Sequence, residues 1–156
     1  MTSLLDIVRE YFDEMDWPIT LAEGALPSKD EKGILTKFHG ENGELECYGI
    51  VDEAQERFVF YSECPVPAPE NKLAAVAEFI TRANHELVMG NFEFDYSDGE
   101  ILFKTSIDVE GAELSVPLVK HVVLSNVLTL DKYLPGIMKV INTDSTPTDV
   151  LADIEG

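Results

Sequence analysis

The sequence predicts an α+β domain in the order helix, three-stranded antiparallel meander, helix, β-hairpin and long C-terminal helix. Three observations lead there. Apolar residues recur at helical spacing in three separate stretches. Between them lie short alternating runs, and two of their joints read Asn42-Gly43 and Asp98-Gly99, pairs that tolerate the positive φ of a tight hairpin turn. The faces set by those turns agree from strand to strand, and such agreement across levels specifies a fold better than any one propensity.

The first helix is expected over residues 4–15, with Leu4, Val8, Tyr11, Phe12 and Met15 on one face and Thr2 or Ser3 as N-cap. Asp16-Trp17-Pro18 ends it, because the residue before a proline is pushed out of the helical region. Ile19–Ala22 suits a short strand, followed by a polar loop through Pro27 and Lys32. A two-residue turn at Asn42-Gly43 pairs Glu41 with Glu44, His39 with Glu46, Phe38 with Cys47 and Ile34 with Val51. A second turn at Ala54-Gln55 pairs Asp52 with Arg57 and brings Phe58 and Phe60 onto the face of Ile34, Phe38, Leu45, Cys47 and Val51.

The segment ECPVPAPE is a proline-punctuated connection to a helix that opens at Pro69 or Glu70 and runs to about Val88. Its inward stripe is Leu73, Val76, Ala77, Ile80, Asn84 and Leu87, with Glu78, Arg82 and His85 outward. The Asp98-Gly99 turn then puts Phe92, Phe94, Tyr96, Ile101, Phe103 and Ile107 on one face, with Glu93 opposite Lys104 and Asp95 opposite Leu102. Ser115 caps a long third helix through Val119, Val122, Val123, Asn126, Leu130, Tyr133, Leu134 and Ile137, which Pro135 is expected to kink or restart. Residues 1–142 read as a single domain and 143–156 as an acidic tail, frayed or folded into one short helix opened by Thr146-Pro147.

Charge narrows the partners. Thirty acidic residues against 11 basic ones leave a formal net charge of -19. That sign repels phosphate backbones and anionic lipid, so neither nucleic acid nor a membrane surface suits it, whereas solubility or a basic partner does. No apolar stretch approaches the roughly 18 residues of a membrane span, and the acidic N-terminus lacks a leader's basic start. Cys47 and Cys64 have no metal-like spacing and read as buried free thiols of a reducing cytoplasm.

Sites of chemistry are few. No nucleophile elbow, phosphate-cradling loop or dinucleotide fingerprint is present, so no catalytic or cofactor residue is assigned. The expected register places His39, Glu46 and Glu63 in one outward row that could hold a divalent cation or form an exposed charge ladder. A sensor or enzyme built on that row, or on a pocket near Asn84, is the alternative function. His85 and His121 fall at solvent-facing helical positions, while Asn84 and Asn126 interrupt apolar stripes and need backbone partners. On the outer side of the meander Leu35, Ile50 and Val59 align, with Tyr48 and Tyr61 beside them near Lys37. A face meant for water is polar, so this patch is expected to meet the chain's own helices, a second subunit or a partner segment.

The run AVAEFITRANHELVMGNFEFDYSDGEILFKTSIDVEG, together with VLTLDKYLPGIMKVI, resembles the YbjN family. The likeness lies in helical Asn84 before an L-x-x-G-x-F strand start that carries Gly90 and Phe92, in the Asp98-Gly99 turn, and in a late D-x-Y-x-P element of Asp131, Tyr133 and Pro135. The resemblance implies a type III secretion chaperone-like fold and a part in bacterial sensory transduction, with no catalytic residues to carry over. The related secretion chaperones are acidic cytoplasmic homodimers that hold extended client segments on apolar patches. It therefore implies a cytoplasmic homodimer that engages another polypeptide and needs no cofactor.

Overall fold

The computed structural model describes residues 2–22 and 31–155. Helix α1 (Leu4–Glu14) starts from a reciprocal cap in which Ser3 Oγ accepts the Asp6 N–H and the Asp6 carboxylate accepts the Ser3 N–H. Strand β1 (Thr20–Ala22) follows, and the expected polar loop lies largely outside the described residues. Strands β2 (Glu31–His39), β3 (Glu44–Asp52) and β4 (Arg57–Glu63) form the meander. After a short 3-10 turn at Glu70–Lys72 come α2 (Leu73–Glu86), β5 (Asn91–Phe94) and β6 (Ile101–Asp108). Helices α3 (Val116–Asn142) and α4 (Pro147–Glu155) complete the chain.

All strands join one antiparallel sheet in the order β1-β2-β3-β4-β6-β5. Its inner face carries Ile34, Leu45, Cys47, Val51, Phe58, Phe60, Ile101 and Phe103, all buried. The three main helices lie against that side. Phe12 of α1 meets Phe60, Asn126 of α3 bonds the carbonyls of Phe60 and Phe103, and Tyr133 of α3 packs edge-on against Phe92. Helix α4 packs on the back of α2 and α3. There Gly136 leaves the space that Ile154 and Val150 fill.

The faces are as the alternation requires, but both Gly-turn registers differ from expectation by two positions. His39 pairs with Glu44 and Phe38 with Leu45, so the β2–β3 connection is the four-residue stretch Gly40–Gly43 and not a two-residue turn. The reason lies in α3. The Asp131 carboxylate accepts the backbone N–H groups of Glu41 and Asn42, and the Asn42 side-chain amide donates back to the Asp131 carbonyl. A Cβ at Gly40 would fall 2.3 Å from the Asp131 carboxylate, and one at Gly43 2.8 Å from Leu134. These glycines admit a neighbouring helix. The second hairpin slips in the same sense: Phe94 pairs with Ile101 and Glu93 with Leu102. Its loop folds so that Gly99, at φ +79°, sits on Ala68 with its carbonyl accepting the Ala68 N–H. Tyr96 therefore lies in the loop and is exposed, not on the inner face.

Two further expectations are corrected. Pro135 does not restart α3, which runs on as one helix of 27 residues. A proline leaves the carbonyl four residues earlier without its helical donor, here that of Asp131. Asn42 supplies the missing hydrogen bond, and the Pro135 ring faces outward. The buried stripe of α2 is Val76, Phe79, Ile80 and Ala83, turned slightly from the expected one. Asn84 at its margin spans β5 by accepting the Phe92 N–H and donating to the Phe92 carbonyl.

Asn126 is fully buried and satisfied by four partners on two strands, the carbonyls of Phe60 and Phe103 and the hydroxyls of Ser62 and Thr105. Asn126→Ala strands those groups and is expected to cost about 2–4 kcal/mol in urea unfolding. Asn42→Ala and Asp131→Ala are each expected to cost about 1–3 kcal/mol, with the double variant losing clearly less than the sum because they share one set of bonds.

Candidate functional site

The outer face of the sheet is where unused apolar surface collects. With α1, α2 and α3 all on the inner side, the strand residues of opposite parity look away from the core. Their central row runs Leu35, Tyr48, Tyr61 and Lys104, and the next runs Gly33, Ile50, Val59 and Ser106. Leu35 is expected opposite Ile50; the slip of the first turn sets it opposite Tyr48 instead, still on the same face. Leu35 is 48% exposed, and Tyr48, Ile50, Val59 and Tyr61 are half-buried by one another. The two tyrosine rings stack with centroids 4.8 Å apart at 18°. Ring burial, with Tyr61 and the surrounding carboxylates adding to it, pushes the Tyr48 hydroxyl up to about 12.

On one side of the tyrosine row the face is acidic. Glu46 pairs across the ladder with Glu63, and Leu102 and Glu93 extend that row. Glu44, Asp98 and Glu100 stand at its end, around a depression of about 410 Å³ walled by Pro65 and Pro67. Two cations answer this charge. Lys37 Nζ lies 3.4 Å from both Glu44 and Glu46, and these two hold its ammonium above its ordinary range. Lys104 Nζ is 3.0 Å from Glu93, a diagonal neighbour rather than the expected direct opposite. Glu63 and Glu100 form no ion pair among the described residues. Partial burial, then the negative charge of Glu63 and Asp98, raises the Glu100 carboxyl.

The expected His39, Glu46 and Glu63 row is not assembled. With the register shifted, Lys37 stands opposite Glu46, and His39 pairs with Glu44 at 3.7 Å. A lysine between the imidazole and the carboxylates puts a positive charge where a cation would bind. Among the described residues no cluster of His, Cys, Asp and Glu has a metal-binding arrangement. Asn84 spends its amide on β5 and lines none of the depressions described here. His85 and His121 are exposed on their helices.

Two other depressions are open to solvent. One, of about 930 Å³, follows β2 from Trp17 and Pro18 past Leu35 to Tyr48, where Trp17 donates its indole N–H to the Lys37 carbonyl. It is continuous with the tyrosine row. The other, of about 800 Å³, lies between α2 and α4 and is lined by Arg82, His85, Leu151 and Glu155 among others. Arg82 there is already paired with Glu78 at 2.9 Å. Among the described residues no helix is long and apolar enough to cross a membrane. What the sequence reading missed at this face is Glu100, which strand parity places beside Glu63 and Leu102, and the neutralising role of Lys37.

Comparison with known proteins follows this geometry. The model of the YbjN family, described as "Putative bacterial sensory transduction regulator", matches residues 4–137. No curated protein matches the chain in sequence. Among solved structures, the chain is similar to YbjN from E. coli, "a putative transcription regulator", with 10% identity and a TM-score of 0.58 over 83% of this chain and 87% of that one. Looser likenesses are to the HopA1-SchA chaperone-effector complex and to the ExsC-ExsE complex. The first has 17% identity and a TM-score of 0.45, covering 81% of this chain and 88% of that one. The second has 12% identity and a TM-score of 0.46, covering 86% and 96%.

The two thiols lie on the inner side, where burial pushes Cys47 up to about 12 and raises Cys64 as well. A raised value means almost no thiolate near pH 8, and the thiolate is the reactive form. Neither cysteine is expected to react with a thiol-exchange dye at pH 8 in the native protein, and both are expected to react once denaturant is added.

Proposed function

The chain belongs to the YbjN family, and from that premise we propose that it is a non-enzymatic regulatory protein that binds another polypeptide on the outer face of its sheet and works as a homodimer. One observation carries the reading. A six-stranded sheet is covered by helices on one side, while the other side bears a contiguous set of Leu35, Tyr48, Ile50, Val59 and Tyr61 that none of those helices covers. An apolar set of that kind in the middle of a sheet face marks a contact surface far more often than a solvated one. Its aromatic pair is already stacked, an arrangement that presents broad flat apolar area to a partner.

Support for a role in binding rather than catalysis comes from the chemistry at hand. The thiols are buried, which raises them, the three histidines are exposed and apart, and Glu44, Glu46 and Glu93 of the outer face are paired with lysines. The self-association half of the proposal uses surface outside the tyrosine row, where exposed apolar residues include Val88, Met89 and Leu128.

Light scattering across micromolar concentrations is expected to show a dimer for the wild type and for the Leu35→Asp, Ile50→Asp double variant. Affinity capture from the native cell extract is expected to recover a polypeptide with the wild type that the double variant loses while its circular dichroism is unchanged. A monomer with no variant-sensitive partner would sink the proposal.

A further inference from the structure

The outer face is divided, and the division describes its occupant. Along β3 and β4 the rows of Ile50–Val59 and Tyr48–Tyr61 are apolar, while the adjoining row of Glu46–Glu63, with Glu100 beyond it, is acidic. Lys37 and Lys104 stand at the two flanks and are already engaged by Glu44, Glu46 and Glu93. Glu63 and Glu100 lie between those flanks with no cation of their own among the described residues, close enough that the charge of Glu63 adds to partial burial in raising the Glu100 carboxyl. A second copy of this chain would bring the same acidic row and a formal charge of -19 to that surface. Like charges in contact oppose docking, so self-association through this face is disfavoured, as is any phosphate-bearing polymer.

We propose that the outer face takes an extended polypeptide segment that is both apolar and cationic, its aliphatic or aromatic residues on Tyr48, Ile50, Val59 and Tyr61 and an arginine or lysine between Glu63 and Glu100. This rests on the reading of the face as a polypeptide-binding surface and names the chemistry of the polypeptide. The geometry suits arginine in particular. Its planar guanidinium lies flat on an aromatic ring while its edge N–H groups bond carboxylate oxygens, and the stacked tyrosines adjoin the unpaired carboxylates. A cation there also offsets the negative charge of Glu63 and Asp98, which adds to partial burial in raising the Glu100 carboxyl.

The test uses two fluorescent peptides with the same apolar residues, one carrying arginine and the other glutamate at the charged positions, read by anisotropy on the full chain. The arginine peptide is expected to bind at least about tenfold more tightly than its glutamate twin and to weaken as salt rises, because screening shortens the reach of the carboxylates. Glu63→Gln with Glu100→Gln, substitutions that keep shape and remove charge, are expected to weaken it by about tenfold. Equal binding of both peptides, or binding indifferent to that double substitution, overturns the cationic assignment and leaves the apolar face standing. Undiminished binding to a folded Leu35→Ser, Ile50→Thr variant overturns the face itself. A wild-type dimer that dissociates in that variant hands the face to a second copy, which overturns the proposal as well.

Discussion

The fold turns on a reciprocal hydrogen-bonded lock between the β2–β3 connection and the middle of α3. Asp131 takes two backbone N–H groups of the connection into its carboxylate, and Asn42 returns its amide to the Asp131 carbonyl. That carbonyl lacks an intrahelical donor because Pro135 follows four residues later. The three residues therefore form one device. Proline frees an acceptor inside the helix, the acceptor captures the turn, and the captured turn sets which residues of β2 and β3 stand opposite each other. A buried acceptor left unpaired costs far more than a paired one contributes, so the lock is enforced from both sides.

Asn126 extends the same logic five residues earlier in the helix, where α3 crosses β4 and β6. Its amide spans the carbonyls of Phe60 and Phe103 and so ties α3 to β4 and β6 together. Asn84 does the equivalent for α2 and β5. Helices α2 and α3 are thus each anchored to the sheet by a polar side chain in or beside the apolar stripe, which fixes rotation and height where apolar contacts alone would permit sliding. These anchors all lie on one side. The helical layer is held there, and the opposite face keeps its tyrosines and branched aliphatics outward.

This explains why the residues that carry the family likeness say little about function. Asn84, Gly90 and Phe92 form a helix–strand clasp, with Gly90 at φ +76° against Phe103 and Thr105. Asp131 and Pro135 belong to the turn lock, and Tyr133 packs on Phe79 and Phe92. They build the scaffold. What the scaffold presents is the outer face, whose composition is a separate matter, and function resides in such surfaces rather than in the fold that displays them.

By itself the sequence determined the elements and the faces. Strand side chains alternate strictly, so Ile34, Leu45, Val51, Phe58 and Phe103 point inward and Leu35, Tyr48, Ile50, Val59 and Tyr61 outward under either register. A slip of two positions leaves that parity untouched. The β3–β4 pairs follow the expected Asp52–Arg57 register, whereas the pairs of β2–β3 and β5–β6 were decided by tertiary structure, because Asn42-Gly43 and Asp98-Gly99 answer to α3 and to Ala68 more than to hairpin geometry. The same slip put Lys37, not His39, beside Glu46 and so turned a possible ligand row into an ion-paired one. The gathering of Glu63 and Glu100 beside two stacked rings, and the choice of one face for every main helix, likewise depend on contacts between residues far apart in the chain, which no local pattern encodes.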